Sequence, residues 1–442
     1  ARLAAPVDEA PPIAARPAAG PRAAFSLLRR NRDFRTLFLA SVISLGGDWF
    51  LWVAVNALIF ESTGLALYVG LAILAQEFAF FVGSPIGGVL ADRLDRRKLM
   101  IVCDLVRAAT CVAFLLVGPD TVWLAYVLLP VLAAFAAPFD PAFTAATPNL
   151  VDEEDLPTAN ALNGSLWGTM LAVGAALGGL VSFLLGAEAA FLVDAGSFLV
   201  SAALLSSIRR SFSERRAERA EHSSMIEATR ETWRFARRDR RVLSLLAVKF
   251  GFGAAAGLLA LIPVMAIEVF DAGEIGFGIL MAARGLGALI GPFLGHRIAG
   301  PRHRRLFPAI GLSLAVFGLA YVGLAAAPTL AIAALAIGTA HLGGGSQWML
   351  STYGLQVIVP DRIRGRIFGF DYMLITLSLS VSAVIASAVS DAIGPRTTVA
   401  ILGGVALVWA VAWFVASRGV RRTGLEGEPD DEAGRQPMPA IS

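Results

Sequence analysis

Four ionisable residues, Asp48, Glu77, Asp140 and Arg284, stand inside long apolar runs of the chain. A charge at membrane depth is costly and ordinarily faces a partner or a wet cavity. Asp48 and Glu77 lie near the middle of their runs, where a short acidic side chain cannot snorkel to water. They are candidate proton carriers, or counter-charges for a cationic substrate. Arg284 offers the complementary chemistry, pairing with either carboxylate or binding an anion. Trp52 follows Asp48 by four residues and so shares its helical face, adding an aromatic surface to the same candidate cavity. Asp140 lies between Pro138 and Pro141, where a carboxylate either caps a broken turn or serves the cavity. Among the remaining polar residues, Asp194 reads as a local interhelical hydrogen bond, and Lys249 and Asp371 as end-of-helix contacts. His341 is the residue type that changes charge near neutral pH, or else a hydrogen-bonding filler. Gln347, Trp348 and Gln356 complete the set.

The runs that hold these residues are membrane spans. The chain has 442 residues, of which 56% are hydrophobic and only 16% charged, with a mean hydropathy of +0.68. Soluble domains carry about 25% charged residues. Apolar stretches of roughly twenty residues, the length that crosses a bilayer, recur near 36–60, 65–90, 99–118, 121–146, 159–184, 187–207, 242–268, 275–296, 306–326, 329–352, 366–389 and 396–417. The expected fold is an all-α integral membrane protein of twelve transmembrane helices. Period-two alternation, the mark of a membrane β-barrel, is absent.

Positive charge falls on one side of these spans. Arg29, Arg30, Arg32 and Arg35 precede the first, Arg93, Arg96, Arg97 and Lys98 follow the second, and eleven arginines lie between Arg209 and Arg241. Further clusters at Arg297–Arg305, Arg362–Arg366 and Arg418–Arg422 keep the same side, while the six opposite loops contain only Arg396. By the positive-inside rule both termini are cytoplasmic and the membrane is the cytoplasmic one. The net charge of +3 therefore reports topology, not nucleic-acid binding. The expected organisation is a cytoplasmic tail (1–24), a six-helix half (25–208), a cytoplasmic linker (209–241), a second six-helix half (242–418) and a tail (419–442). Residues 223–238 of the linker, with Met225, Ile226, Trp233 and Phe235 among charges, suit either a helix on the membrane surface or a solvated connection. Cys103 and Cys111 share one span and read as core packing.

The densest charge in the spans' vicinity is "GGVLADRLDRRKLM" (87–100). Glycines there allow close helix approach. Asp92 can accept from the amino end of a neighbouring helix, and Arg93, Arg96 and Arg97 can pair with carboxylates such as Asp104, three residues before Arg107 on one face. The segment resembles the signature between helices 2 and 3 of the major facilitator superfamily, G-x-x-x-D-R-x-x-R-R, at Gly88, Asp92, Arg93, Arg96 and Arg97. "PNLVDEEDLPTANALNG" and "VPDRIRGRIFG" are similar to the twelve-helix drug and siderophore exporter branch, which includes enterobactin exporters, macrolide efflux proteins and Tap-type pumps. The resemblance covers about residues 25–420 and implies two six-helix halves that rock about a central site. It also implies a cytoplasmic gate at Gly88, Asp92, Arg93, Arg96, Arg97, Asp104 and Arg107. Two features depart from the pattern: helix 4 has no arginine, which removes a common proton relay, and His296 stands where a second Asp92 is expected. Glycines 164, 168, 174, 178 and 179 loosely match the antiporter signature of helix 5.

The expected function is a secondary exporter of amphipathic small molecules, exchanging them for protons in a lipid setting, as a monomer and without a cofactor. No "GKS" or "GKT" phosphate loop is present to suggest nucleotide use. A lysophospholipid transporter of the same fold is the alternative, with a non-transporting receptor or scaffold behind it. If the signature is a latch, Asp92→Asn biases the protein toward the form open on the arginine-rich side. Spin-label distances between the helix ends on that side test this; distances unchanged by the substitution contradict it.

Overall fold

The computed structural model describes residues 21–210, 212, 233–300, 305–359 and 361–423. The tails before 21 and after 423, most of the linker, Arg302, Arg304 and the side chains of Gly88, Asp92, Arg362, Arg364 and Arg366 lie outside the described residues. Among those described, twelve long helices follow one another: α1 Arg32–Thr63, α2 Ala66–Arg93, α3 Arg96–Leu116, α4 Pro119–Leu150, α5 Leu156–Leu185 and α6 Ala187–Ser207. Then come α7 Arg240–Val269, α8 Gly273–Ala299, α9 Leu306–Ala325, α10 Leu330–Ile358, α11 Asp361–Ile393 and α12 Pro395–Ala416. Each coincides with one expected span. Eleven are long and apolar enough to cross a membrane. The remaining one, α10, has the length at 29 residues, but His341, Ser346, Gln347 and Ser351 dilute its apolar character on the buried side.

The packing repeats with a shift of six helices. α1 packs on α5 and α6, α2 on α4, and α3 on α4 and α6; likewise α7 packs on α11 and α12, α8 on α10, and α9 on α10 and α12. The halves join through α2–α11 and α5–α8, two contacts that the same shift exchanges. Lipid gives helices no hydrophobic reason to associate, so close packing of small residues must do it. At the α5–α8 crossing a Cβ on Gly179 would lie 2.7 Å from Gly278 Cα. Neither position tolerates a side chain without separating the helices.

Local chemistry sets the ends and breaks. Asn31 caps α1, its Oδ1 accepting from Phe34 N at 2.9 Å. Asp95 caps α3 through Lys98 N at 2.9 Å, so the second carboxylate of the signature starts a helix. α7 breaks at Ala256–Gly257 and ends in a π turn over Met265–Val269. Backbone groups freed inside a membrane must find partners. Ser382 of α11 provides them, its Oγ accepting from Gly257 N at 3.1 Å and donating to Ala254 O at 2.6 Å. The last described part of the linker, 233–238, is helical and lodges on α11, with Trp233 against Phe370 at 5.7 Å between ring centroids.

The halves meet at their arginine-poor ends. Asp391, in the last turns of α11, accepts from Ala66 N at 2.8 Å and Leu67 N at 2.9 Å. Leu65, at the head of α2, supplies no side-chain cap of its own, so the second half caps a helix of the first. Trp52 of α1 meets Phe277 of α8 at 5.6 Å, and Phe80 of α2 meets Tyr372 of α11 at 6.3 Å nearer mid-depth. Arg396 ties the same face together, donating to Ala325 O and Ala327 O at 2.9 and 2.7 Å. Toward the arginine-rich ends Asp140, Trp348 and Tyr372 are exposed.

An N-cap contributes roughly 1 kcal/mol, up to about 2, and one to two kcal/mol moves an equilibrium about 5–30-fold. Asp391→Ala is therefore expected to shift the protein toward the form open at the arginine-poor ends by that factor. Spin-label distances between Asp120 and Ala326 read this directly, and an unchanged distribution contradicts the role.

Candidate functional site

Three helices of the first half each carry a polar stripe at i, i+3, i+7: Ser41, Ser44 and Asp48 on α1, Asp104, Arg107 and Cys111 on α3, and Asp194, Ser197 and Ser201 on α6. Helical periodicity turns each stripe to one face, and packing of α1 and α3 on α6 brings the three faces together. Arg107 is the centre, with 3% of its surface exposed. Its guanidinium pairs with Asp48, lies 3.9 Å from Asp104 Oδ1, reaches Ser44 Oγ at 3.5 Å and stacks 4.0 Å over the Phe198 ring. Asp194 is fully buried behind it and accepts from Cys111 Sγ at 3.3 Å and Ser197 Oγ at 3.2 Å. Gly47 makes the room: a Cβ there would lie 2.5 Å from Asp194 Oδ1.

Asp48 and Asp104 thus share one guanidinium at mid-depth, with Asp194 within its electrostatic range. Asp104 and Asp194 are fully buried, whereas the Asp48 side chain keeps 33% exposure. Asp104 and Arg107, grouped with the gate from sequence, belong instead to this core and not to the helix ends. Asp194, expected to make a local interhelical hydrogen bond, makes two hydrogen bonds, the one from Cys111 between helices, and adds a third carboxyl group to the cluster. Cys111 is more than packing, since its thiol is a donor to Asp194.

The second half fills the corresponding place differently. Where the α1–α3–α6 core is charged, the α7–α9 counterpart holds Phe252, Phe317 and Tyr321, with ring centroids 4.8 and 4.3 Å apart in succession. Phe252 and Tyr321 also face Arg284 and His341, so the second half sets a cation beside aromatic rings where the first sets one beside carboxyl groups. A buried ion carries a desolvation penalty of several kcal/mol, and aromatic packing carries none.

Charge in the second half sits elsewhere. Lys249 of α7 and Asp371 of α11 form a buried pair, joined by Thr352 Oγ1 at 2.9 Å from Lys249 Nζ and by the Trp348 ring at 4.8 Å. These two are interhelical partners, not end-of-helix contacts. Arg284 Nε donates to His341 Nε2 at 3.1 Å, and His341 Nδ1 lies 3.0 Å from Ile337 O. An Nε2 that accepts from a guanidinium leaves the ring proton on Nδ1, so this histidine is neutral. Arg284, His341 and Tyr321 line a small cavity of about 20 Å³ with Phe252, Ala256 and Leu259. Arg284 and Glu77 lie within electrostatic range of one another across the two halves, while Asp48 pairs with Arg107 instead. Gln347 is fully buried, and neither end of its amide has a hydrogen-bond partner.

Asp140 does not cap a broken turn. α4 runs through Pro138 and Pro141 without interruption, and Asp140 is exposed on it. Trp52 stacks edge-on with Trp49 at 5.7 Å and bridges to the second half through Phe277. At the signature, Arg93 is exposed. Arg96 donates to Ala91 O, Ala145 O and Phe212 O at 3.1, 2.9 and 3.2 Å, and Arg97 to Ser206 O. The expected arginine–Asp104 contact is not made in this form; these two arginines cap helix ends instead. Asp95, Asp391, Thr352 and Tyr321 were not marked from sequence. Asp391 stood just beyond an expected span end, ahead of the Gly394-Pro395 turn, which was its one visible signal.

Known proteins agree with this architecture. Over 166 residues the chain is 38% identical to the enterobactin exporter EntS of Salmonella choleraesuis, covering 36% of this chain and 38% of that protein. It is 30% identical over 180 residues to the uncharacterized MFS-type transporter YfiS of Bacillus subtilis, 40% of this chain and 43% of that one. These two matches span about two fifths of the relatives' own length. The macrolide efflux protein A of Streptococcus pyogenes is 24% identical over 372 residues, 82% of this chain and 90% of that protein. In fold the chain is similar to a bacterial homolog of the human lysosomal transporter Spinster, with a TM-score of 0.71 at 16% identity, covering 90% of this chain and 98% of that one. The family model for transmembrane secretion effectors matches residues 22–439. This chain belongs to that family of major facilitator superfamily transporters.

Proposed function

We infer that the protein is a secondary exporter of amphipathic small molecules, of drug or siderophore type, driven by inward proton movement. The observation that carries this reading is the Arg107 cluster, whose outermost carboxylate, Asp48, is one-third exposed while the others are buried. Protonation removes the cost of carrying a carboxylate through a change of form, and a group reachable from water at mid-depth can exchange its proton. Similarity to efflux and siderophore exporters supports the direction of transport and the substrate class. The substrate space lies between the halves, among Trp52, Phe80, Tyr372 and Trp348, with Glu77, Asp140 and Arg284 as its sparse charges. Apolar walls with few polar groups suit amphipathic compounds.

The arginine-rich ends are placed in the cytoplasm of a cytoplasmic membrane, with both termini there. The halves span about 25–208 and 242–418, joined by the 209–241 linker, and the protein works as a monomer among lipids. The form described, closed at the arginine-poor ends, then takes substrate from the cytoplasm or inner leaflet. Rocking about the α2–α11 and α5–α8 contacts releases it outside.

The test uses the full chain in proteoliposomes with an imposed pH gradient and a panel of erythromycin, ethidium, a catecholate siderophore and lysophosphatidylcholine. Wild type is expected to accumulate at least one of the first three against its gradient, with protons moving the other way. Asp48→Asn, shown to be folded and equally inserted, should lose uphill movement yet keep substrate-for-substrate exchange. An Asp48→Asn protein that pumps with wild-type pH dependence contradicts the coupling role. Transport of the lysolipid alone, independent of the pH gradient, contradicts the exporter reading.

A further inference from the structure

The Arg107 cluster has more carboxylates than a single coupling residue needs, and the surplus is arranged. Three carboxylates around one guanidinium are electrically balanced only when the cluster holds two protons. Asp104 is fully buried, and neither of its oxygens has a hydrogen-bond partner. Arg107 Nε is also without a hydrogen bond, and its Nη1 is 3.9 Å from Asp104 Oδ1. A small sideways movement over the flat Phe198 ring, 4.0 Å below, would exchange Asp48 for Asp104 without taking the guanidinium out of contact with an anion.

We propose that Asp48, Asp104 and Asp194 form one proton-binding unit around Arg107, in which Asp48 is the mouth and Arg107 changes partner from Asp48 to Asp104 as Asp48 takes up a proton. The inference rests on the proton-driven reading above and deepens it. The proton arrives at Asp48 from the space between the halves and raises the unit from one proton, on Asp194, to two; Asp104, ionised before and after within ion-pair distance of Arg107, is then the anion left to the guanidinium. Asp194, pinned by Cys111 and Ser197, stays behind as the fixed member that holds a resident proton. Arg107 is a positioning residue. It does not touch substrate; it sets which carboxylate is able to bind a proton.

Other charged or titratable groups near the unit are few. Cys103 and Cys111 share α3 with Asp104 and Arg107. Asp140 of α4 is within electrostatic range of Arg107 and Asp48. α5 carries no charged residue, and Glu77 of α2 is within range of Arg284 across the interface.

The test is infrared titration of protonated carboxyl bands in the purified full chain, in lipid and without substrate. Each variant Asp48→Asn, Asp104→Asn and Asp194→Asn should remove one band and move the titration of the remaining two by about one pH unit or more, the mark of interacting sites. Asp120→Asn, at an exposed carboxylate at the start of α4, should move none of them. Arg107→Lys should retain fold and alter the same titration, because a compact ammonium cannot bridge two partners as a planar guanidinium does. Removing one partner of a buried pair can unfold a protein. The neutral double variant Asp48→Asn/Arg107→Met covers that case and should leave Asp104 and Asp194 titrating without the pairing. Bands in Asp104→Asn and Asp194→Asn that titrate as in wild type overturn the proposal, as does an equal shift in Asp120→Asn. The proton-driven reading fails separately, if wild-type vesicles move no protons with any compound of the panel while these bands still titrate together.

Discussion

One guanidinium shared among three carboxylates inside a membrane is the constraint from which most of this structure can be argued. Arg107 is 3% exposed, and two of the three carboxyl groups near it are fully buried. A charged residue at the centre of a membrane helix carries a penalty of about 2.5–3.5 kcal/mol on insertion scales, and breaking a buried pair costs roughly 3–5 kcal/mol. The first half gathers its buried charge at this one place, whereas the second puts Phe252, Phe317 and Tyr321 there and buries the Lys249–Asp371 pair elsewhere. Packing α1, α3 and α6 against one another, with Gly47 cleared of any side chain before Asp194, is what makes that arrangement tolerable.

The second dependence is mechanical. The halves touch from their arginine-poor ends to mid-depth, through Asp391 on the head of α2, Trp52 on Phe277 and the glycine crossing of α5 with α8. Asp48 and Trp52 lie on the same helix, one turn apart. A change in the partner of Arg107 is thus one turn away from an aromatic contact between the halves. Proton binding and rocking share α1 as their physical link.

The twelve spans were legible because apolar runs of membrane length and one-sided arginines are strong signals, and each span matched one helix. α10 is the instructive case: its length was clear, while its buried His341 and Gln347 weaken its hydropathy. Single ionisable residues were legible as candidates, yet their partners were not. Asp104 and Arg107 stood near the basic signature in sequence and were grouped with it, although their helix carries them to mid-depth beside Asp48. The i, i+3, i+7 stripes of α1, α3 and α6 were present in the sequence, but only packing shows that the three stripes converge. Asp391 was hidden for a different reason. Its partners are backbone N–H groups more than three hundred residues away, and a backbone has no residue type to read.

The account is tested most directly by the partner of Arg107 in the form open at the arginine-poor ends, determined by a structure trapped in that form. It predicts the guanidinium hydrogen-bonded to Asp104 and withdrawn from Asp48. An Arg107–Asp48 pair unchanged between the two forms would contradict it.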